Sequence, residues 1–480
     1  MKIKQLSILL FTCLLIGFLS CDANKNKNTR EVRLSEYKAI SNSEKAHCDS
    51  SWFPHKQTPA PAEGKGSPFD TSSTTDAIFH EWSWQKFLWL TKRVYSQPLF
   101  EKELTWVTSH MEIPKNPHHA SVVLTSTDQA FKNAMLLSNI NMNRLLDTVY
   151  YGIAVDSLLL DSSRSFIQQL KKGNLPASNE STFPVGALEV KTAWIDATTI
   201  PVVQQSSYYI TNAYVTTTKQ TKMVALLGMH VVGVVENHPE FIWATFEHES
   251  MAPDYNWIQT KDTITDVPVT SAQNLLFFQK DSMAGVADIT YTTPMFKNIF
   301  SIFPYGIPKT LNDAIMPNTA QSTKSTLNNL NNIRYLNHCV KKELLKEKSV
   351  WSNYFYNGSI WMNTDGLDRA GQVKLIKTTN YNNNAVAESP MRGSLAAFNI
   401  TMETFAQQFK QQKICTMKAK NLVNCFSCHT STDFSIDNAN SPLYLSHIFQ
   451  GALALEKGQV KEEIEQQRIK EAIEAMSSHE

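Results

Sequence analysis

The sequence lacks the features of a nucleic-acid-binding protein or a disordered chain. Its 45 lysines and arginines are balanced by 44 aspartates and glutamates, so it has no excess positive charge with which to neutralise phosphates. Nucleic acid is therefore excluded as an expected partner. Hydrophobic residues make up 42% of its 480 residues, which excludes disorder throughout and supplies enough apolar surface for one large domain or two.

Long apolar runs and two common catalytic signatures are also missing. The apolar run Ile8–Phe18 is shorter than the roughly 20 residues that a membrane-spanning helix needs, and no other segment is long and apolar enough. We therefore expect the body of the protein to be soluble. No Ser-His-Asp arrangement and no glycine-rich phosphate-binding loop is recognisable, so a hydrolase or a nucleotide-dependent enzyme has no support.

The N-terminus is typical of a bacterial export signal. Lys2 and Lys4 precede the run Ile8–Phe18, and small residues follow it. We predict that residues 1–20 are a signal peptide and that the new N-terminal residue, Cys21, is lipidated. The mature protein would then be a lipoprotein anchored in a bacterial membrane, in the periplasm or at the cell surface. Ordinary secretion without lipid and an uncleaved anchor stay open as alternatives.

The next segment predicts a tether that leads into a folded body. Residues 21–75 are rich in Asn, Lys, Ser, Pro and Thr, a composition typical of a lipidated polar tether. Asp76 can cap a helix whose aromatic and aliphatic residues recur at helical spacing through Leu90. We interpret this helix as part of the core.

Apolar runs in the middle of the chain predict an antiparallel sheet. The runs are Glu189–Ile195, Met223–Val235 and Phe241–His248, and the last two are joined by five residues that include Pro and Asn, as in a hairpin. We predict the α+β class, with a large mixed body over residues 76–389 and a helical segment at the C-terminus, residues 390–480.

Two helices are expected in this C-terminal segment. Asn399 can cap a helix that carries apolar residues as far as Phe409. A charged helix is expected from about Leu453 to Met476, with Val460 facing inward.

Between these helices lies the sequence C-x-x-C-H, formed by Cys425, Cys428 and His429, which is the attachment signature of haem c. Two thiols three positions apart on a helical turn can form thioethers with the two vinyl groups, and the next imidazole then lies beneath the iron as proximal ligand. In a chain of this length and composition, the C-x-x-C-H pattern is expected by chance only about 0.003 times. We therefore predict one covalently bound haem c in a cytochrome c-like segment.

Three other uses of this motif stay open, namely a zinc site, a redox pair and a disulfide. A zinc site needs a further pair of ligands at similar spacing, and a redox pair is expected between a strand and a helix. Outside the signal, the lipid site and the motif, the cysteines are Cys48, Cys339 and Cys415. This is an odd number, and a Cys339–Cys415 disulfide is one way to pair two of them.

The ligand on the opposite side of the iron decides the function, because methionine or histidine there favours electron transfer and an open position permits ligand chemistry. His447 is a candidate sixth ligand because it lies in the apolar segment after the motif. His230 and His248 are candidates for a second site, since they lie on one side of the sheet if the hairpin pairs Phe241 with Val235. For each of these histidines, a hydrogen-bonded core residue stays the alternative.

Five blocks of the sequence resemble a poorly characterised family of exported bacterial cytochrome c-like proteins with a single C-terminal C-x-x-C-H motif. The blocks are Trp84–Leu90, Leu226–Val232, Trp243–His248, Ala397–Phe405 and Cys425–His429. The resemblance implies haem binding and electron transfer and carries over Cys425, Cys428 and His429 directly. It implies no substrate.

The sequence thus predicts a lipid-anchored, single-haem c-type cytochrome for one-electron transfer with a redox partner protein or a small-molecule donor or acceptor. The C-terminal segment alone is too small to cover a haem, so we expect the sheet or the helix through Leu90 to pack against it. One alternative is a haem enzyme with an open sixth iron site that acts on peroxide or a small oxidised substrate. The other is a surface binding protein with a zinc or disulfide C-x-x-C. No catalytic residue is assigned.

We expect Cys21→Ser to abolish lipid attachment, because the thiol of Cys21 is the predicted acceptor of the lipid. Metabolic labelling with a radioactive fatty acid measures the attachment, and Cys13→Ser, within the predicted signal peptide, is the control that keeps the label. Label retained by Cys21→Ser would contradict the predicted lipid anchor.

Overall fold

The structure of the protein is a computed structural model that describes most of the chain from residue 45 onwards. The described residues are 45–72, 77–127, 137–138, 147–174, 180–253, 271–278, 280, 298–299, 323–378, 390–394, 398–403, 408–409, 424–431, 441–464, 466–467 and 470. The predicted signal peptide, the lipid acceptor Cys21, the predicted cap Asp76 and the unassigned Cys415 lie outside these residues.

The described chain consists of strands and helices in alternating groups. The strands are β1 (Arg93–Val94), β2 (Gln97–Pro98), β3 (Thr105–Val107), β4 (Val122–Leu124), β5 (Leu137–Ser138), β6 (Asp147–Val155), β7 (Leu188–Asp196), β8 (Ile210–Val215), β9 (Gln220–Val235), β10 (His238–His248), β11 (Asn298–Ile299), β12 (Tyr354–Met362), β13 (Met391–Gly393) and β14 (Gln408–Phe409). The helices are α1 (Ile78–Thr91), α2 (Leu99–Glu103), α3 (Ser157–Lys171), α4 (Val202–Gln205), α5 (Thr323–Lys346), α6 (Arg369–Thr378), α7 (Cys425–Cys428) and α8 (His447–Glu456).

Ten of the strands form one sheet. Its main path is β13–β12–β10–β9–β7–β6–β3, while β8 pairs with β9 and β4, and β5 pairs with β6. The described pairs are antiparallel except for β4 and β8. This confirms the predicted mixture of helices and an antiparallel sheet.

The two faces of this sheet are covered by different parts of the chain. The first face packs on α1 and α5 through side chains that include Met229, Val231, Ile242, Ala244 and Phe246. The second face packs on α3, α6, α8 and the segment around α7 through side chains that include Val232, Val234, Trp243, Ile360 and Met362. Because both faces are covered, β9 and β10 are rich in apolar residues at consecutive positions rather than alternating ones.

Helix α1 confirms the predicted core helix. Its large side chains are almost completely buried, and the ring of Phe87 stacks on that of Phe246 with 4.1 Å between centroids. Each such side chain contributes about 1.5–3 kcal/mol on burial. Helix α1 therefore fastens the first face of the sheet.

The predicted tether is wrong for residues 45–72, which pack on the body. Trp52 and Phe69 are buried in the core, and a disulfide joins Cys48 to Cys339 of α5. A few large apolar side chains and one covalent bond outweigh the polar composition of this stretch, on which the prediction rested.

The hairpin between β9 and β10 is tighter than predicted. Asn237 adopts a φ of 65°, and His238 already pairs with Val235. An irregularity in the pairing lies between His238 and Ile242, beyond which Ile242 pairs with Gly233. The register therefore differs by one residue from the one that we predicted.

The predicted boundary between the body and the C-terminal segment is wrong, because β13 is a strand of the main sheet. The predicted helix after Asn399 is also wrong at its far end. Residues 399–403 form a turn, and Phe409 lies in β14, which pairs with β11.

The charged C-terminal helix differs from its prediction as well. Helix α8 begins at His447 and ends at Glu456, and Gly458 with a φ of 88° follows it. Val460 is 52% exposed, so the prediction that it faces inward is wrong. Among the described helices, none is long and apolar enough to cross a membrane.

We expect Cys48→Ala and Cys339→Ala each to lower the free energy of unfolding by about 2–4 kcal/mol, because the disulfide restricts the unfolded chain over a long loop. Denaturant unfolding measures the loss. The double variant is the control and should equal either single variant, since all three lose the same bond. A double variant much less stable than both single variants would contradict this pairing.

Candidate functional site

The C-x-x-C-H motif lies on the second face of the sheet. Cys425 and Cys428 are three positions apart on the single turn of α7, and both carry thiols rather than a disulfide. The turn is closed at its start by Asn424, whose N–H donates to the hydroxyl of Ser427 at 3.0 Å. Both cysteines are partly buried against the apolar cluster of the second face. The motif is thus held as one helical turn with both sulfurs near apolar side chains.

His429 has the protonation state of a metal ligand. Its Nδ1–H donates to the carbonyl of Leu445 at 2.9 Å, which leaves the lone pair on Nε2. Burial lowers the pKa of His429 to about 3, so the ring is neutral at physiological pH. No described residue forms a hydrogen bond with Nε2. A histidine ligand of a metal ordinarily has this arrangement, with the second ring nitrogen donating to a carbonyl or carboxylate.

The thiol of Cys425 does not have the chemistry of a redox cysteine. Burial raises its pKa, and the neighbouring negative charge of Glu403 raises it further. Redox exchange and zinc binding both require the thiolate, which a lowered pKa favours. The environment of α7 therefore disfavours the thiolate that redox exchange requires.

The sheet, and not helix α1, contacts the motif. Trp243 of β10 lies on the second face, and its ring centroid is 4.3 Å from that of His429 and 5.9 Å from that of Phe426. Helix α1 packs on the opposite face. We expected either the sheet or the helix through Leu90 to pack against the haem, and of these two elements the sheet is the one that contacts the motif.

His447 lies beside His429, an arrangement that does not favour the prediction that it is the sixth ligand. The two imidazoles stack with 3.9 Å between centroids and 17° between planes, and Nε2 of His447 donates to the carbonyl of Cys428 at 2.9 Å. Two axial ligands lie on opposite sides of a porphyrin. Stacked rings in direct contact have no room for one between them.

His230 and His248 do not form a pair, because the observed register places them on opposite faces. His230 pairs with Thr245 and lies on the second face. His248 lies on the first face, stacked on Tyr208 at 3.8 Å between centroids. Its Nε2–H donates to the carbonyl of Ser207, and its Nδ1 accepts from the N–H of Ser250. His248 is a core histidine, and the predicted second site is wrong.

His230 instead forms a charged cluster that the sequence analysis missed. Its Nε2 lies 2.8 Å from Oε1 of Glu403, and Lys191 of β7 is its partner in the sheet register. Burial opposes ionisation of Glu403, but the charges of His230 and Lys191 outweigh it, so the pKa of Glu403 lies below its ordinary value. Glu403 is therefore a carboxylate that accepts a hydrogen bond from Nε2 of His230, and a lysine lies beside this pair.

A close approach of the 399–403 turn to Gly228 positions Glu403. A Cβ added to Gly228 of β9 would lie 2.5 Å from Oγ1 of Thr401 and 2.7 Å from Nδ2 of Asn399. Only glycine lets the 399–403 turn lie directly on the strand. The Gly228 position within an otherwise apolar run is the one signal in the sequence for this contact.

The side chain of Asn399 fastens the same turn. It is fully buried, and its amide donates to Oγ1 of Thr245 at 3.1 Å and to the carbonyl of Phe246 at 2.8 Å. Its backbone N–H donates to Oε2 of Glu403 at 3.0 Å, and Glu247 accepts from the N–H of the next residue, Ile400. Asn399 caps this turn and locks it to β10.

Among the described residues, no group of three or more His, Cys, Asp or Glu side chains is arranged to hold a metal ion. A haem iron needs only axial ligands from the protein, because the porphyrin supplies the other four. No family model, no curated protein and no solved structure matches the chain.

We expect Gly228→Ala to lower the free energy of unfolding by about 1–3 kcal/mol, because the new methyl group overlaps the 399–403 turn. Gly64→Ala is the matched control, since nothing lies within 4 Å of its added Cβ, and we expect a change within about 0.5 kcal/mol. Thermal or denaturant unfolding measures both. Equal stability of the two variants would contradict the close approach.

Proposed function

We propose that the protein is an exported, lipid-anchored, single-haem c-type cytochrome that carries out one-electron transfer. The observation that carries this proposal is His429. It is a neutral, partly buried imidazole whose Nδ1–H donates to the carbonyl of Leu445 and whose Nε2 has no hydrogen bond from the described residues, and it follows two thiols on one helical turn.

The residues around the motif fit a haem. Cys425 and Cys428 would form the thioethers, and Nε2 of His429 would bind the iron. Trp243 and Phe426 line the motif with aromatic surface, which a porphyrin ring packs against and which excludes water. The bound haem supplies an iron that gains and loses one electron without making or breaking bonds to a substrate.

The rest of the chain then supports the haem-binding segment and anchors it at the membrane. The segment around α7 is the haem-binding segment, and β10 of the sheet contacts it through Trp243. Cys21 is the lipid site that holds the protein at a bacterial membrane, in the periplasm or at the cell surface. The partner is a redox protein or a small-molecule electron donor or acceptor.

The observations favour electron transfer over the alternatives. The haem-enzyme alternative requires His230 and His248 to lie together above an open iron. These two residues lie on opposite faces of the sheet. A disulfide is opposed by the thiols of α7, and a zinc site would need further ligands, whereas the described residues contain no group of three or more His, Cys, Asp or Glu side chains placed to hold a metal ion. We therefore propose neither of the alternatives.

We expect covalent haem in the full-length protein matured by a host that makes c-type cytochromes. Cys425→Ala and Cys428→Ala should each reduce or abolish it, because each variant loses one thioether. A haem stain on a denaturing gel and the absorption spectrum measure the haem. His119→Asn, at an exposed position, is the control that should stain like the natural protein. Colourless natural protein, or full staining of both cysteine variants, would contradict the proposal.

A further inference from the structure

We propose that His230 is the second axial ligand of the iron, that it binds through Nδ1, and that Glu403 positions it. This inference rests on the proposed haem function and deepens it, because two histidine ligands make the centre an electron carrier with a closed iron. The step is formation of one coordinate bond from the lone pair of Nδ1 to the iron. His230 binds as the neutral imidazole, so an imidazolium first releases its Nδ1 proton to water, and no electron changes place.

The sheet places His230 next to the motif. In the register of β9 and β10, Trp243 pairs with Val232, so His230 is two residues further along β9 and lies diagonal to Trp243 on the same face. The Trp243 ring contacts the ring of His429 at 4.3 Å between centroids. Diagonal neighbours lie within reach of long and aromatic side chains, so His230 and His429 border one common space.

Electrostatic interactions support this proximity independently. The charge of His230 acts on the pKa of His429, and the charge of Glu403 acts on the pKa values of both His429 and Cys425. The pair of His230 and Glu403 therefore lies within electrostatic range of the motif.

The orientation of His230 is that of a ligand. Glu403 is a carboxylate and accepts a hydrogen bond, so Nε2 of His230 carries the proton and the lone pair is on Nδ1. No described residue forms a hydrogen bond with Nδ1. Carboxylate, imidazole and metal in this order are the ordinary arrangement around metal-bound histidine, and the carboxylate fixes the ring and raises its basicity.

Glu403 is itself fixed, which a positioning residue requires. Its Oε2 accepts from the N–H of Asn399, and its own N–H donates to the carbonyl of Asn399 at 2.7 Å. The turn is locked to the sheet at Gly228. The carboxylate therefore cannot follow a moving imidazole, and it holds His230 in one orientation.

The other candidates are engaged elsewhere. Both ring nitrogens of His248 form hydrogen bonds on the first face, and His447 stacks directly on His429. Met402 is 2% exposed and packs in a separate cluster with Ile400. Among the described residues, Lys191 is the remaining candidate ligand beside His230, so the test below includes a Lys191 variant.

The test uses the full-length, matured protein and reads the spin state of the iron, carbon monoxide binding and the reduction potential. We expect the natural protein to be low-spin in both oxidation states, with no carbon monoxide binding. His230→Ala should keep its covalent haem, become high-spin and bind carbon monoxide when reduced. Added imidazole should restore the low-spin spectrum of this variant, which a merely structural role for His230 would not produce.

Glu403→Gln tests the positioning role. The amide oxygen still accepts from Nε2, so this variant should stay low-spin, while its reduction potential should move to a more positive value because the ligand is less basic. Lys191→Met and His447→Ala should both remain low-spin. His119→Asn is again the control without effect.

Three results overturn the inference. The first is a His230→Ala protein that stays low-spin and excludes carbon monoxide, and the second is a natural protein that already binds it. The third is loss of the low-spin spectrum in the Lys191 or His447 variant but not in His230→Ala. The haem stain distinguishes this failure from that of the proposed function, because unstained natural protein overturns both, whereas these three results leave the covalent haem in place.

Discussion

The register between β9 and β10 determines which side chains form the candidate site. Side chains alternate between the two faces of a strand, so a shift of one residue moves every side chain to the other face. With Thr245 opposite His230, the side chain of His230 lies on the second face and His248 is buried among tyrosines on the first face. The turn at Asn237 and the irregularity before Ile242 set this register.

The two faces of the sheet have different tasks that depend on one another. The first face holds an aromatic core in which α1, α5 and the disulfide-linked segment from residue 45 fix the strands. The second face presents polar and charged side chains beneath the motif. The packed first face gives the strands that carry the motif's contacts a rigid support.

Carboxyl groups on the second face are hydrogen-bonded, as burial requires. Glu403 binds His230, Glu247 accepts from the backbone of Ile400, and Glu189 accepts from Ser446, which caps α8. An unpaired charge in this environment would be strongly destabilising. The pairs therefore connect the sheet to the turn at residues 399–403 and to the start of α8, the two segments that flank the motif.

The sequence by itself determined the features that depend on neighbouring residues. These are helix α1, the apolar strands β7, β9 and β10, and the spacing of Cys425, Cys428 and His429, because periodicity and motif spacing are local properties. Only the tertiary structure decided the strand register, the disulfide between residues 291 positions apart and the hydrogen bond between residues 173 positions apart. It also turned the helix predicted after Asn399 into a turn, since hydrogen bonds to β10 and contact with Gly228 compete with local helix formation. Such contacts join distant segments through packing, and no local pattern encodes which segments will meet.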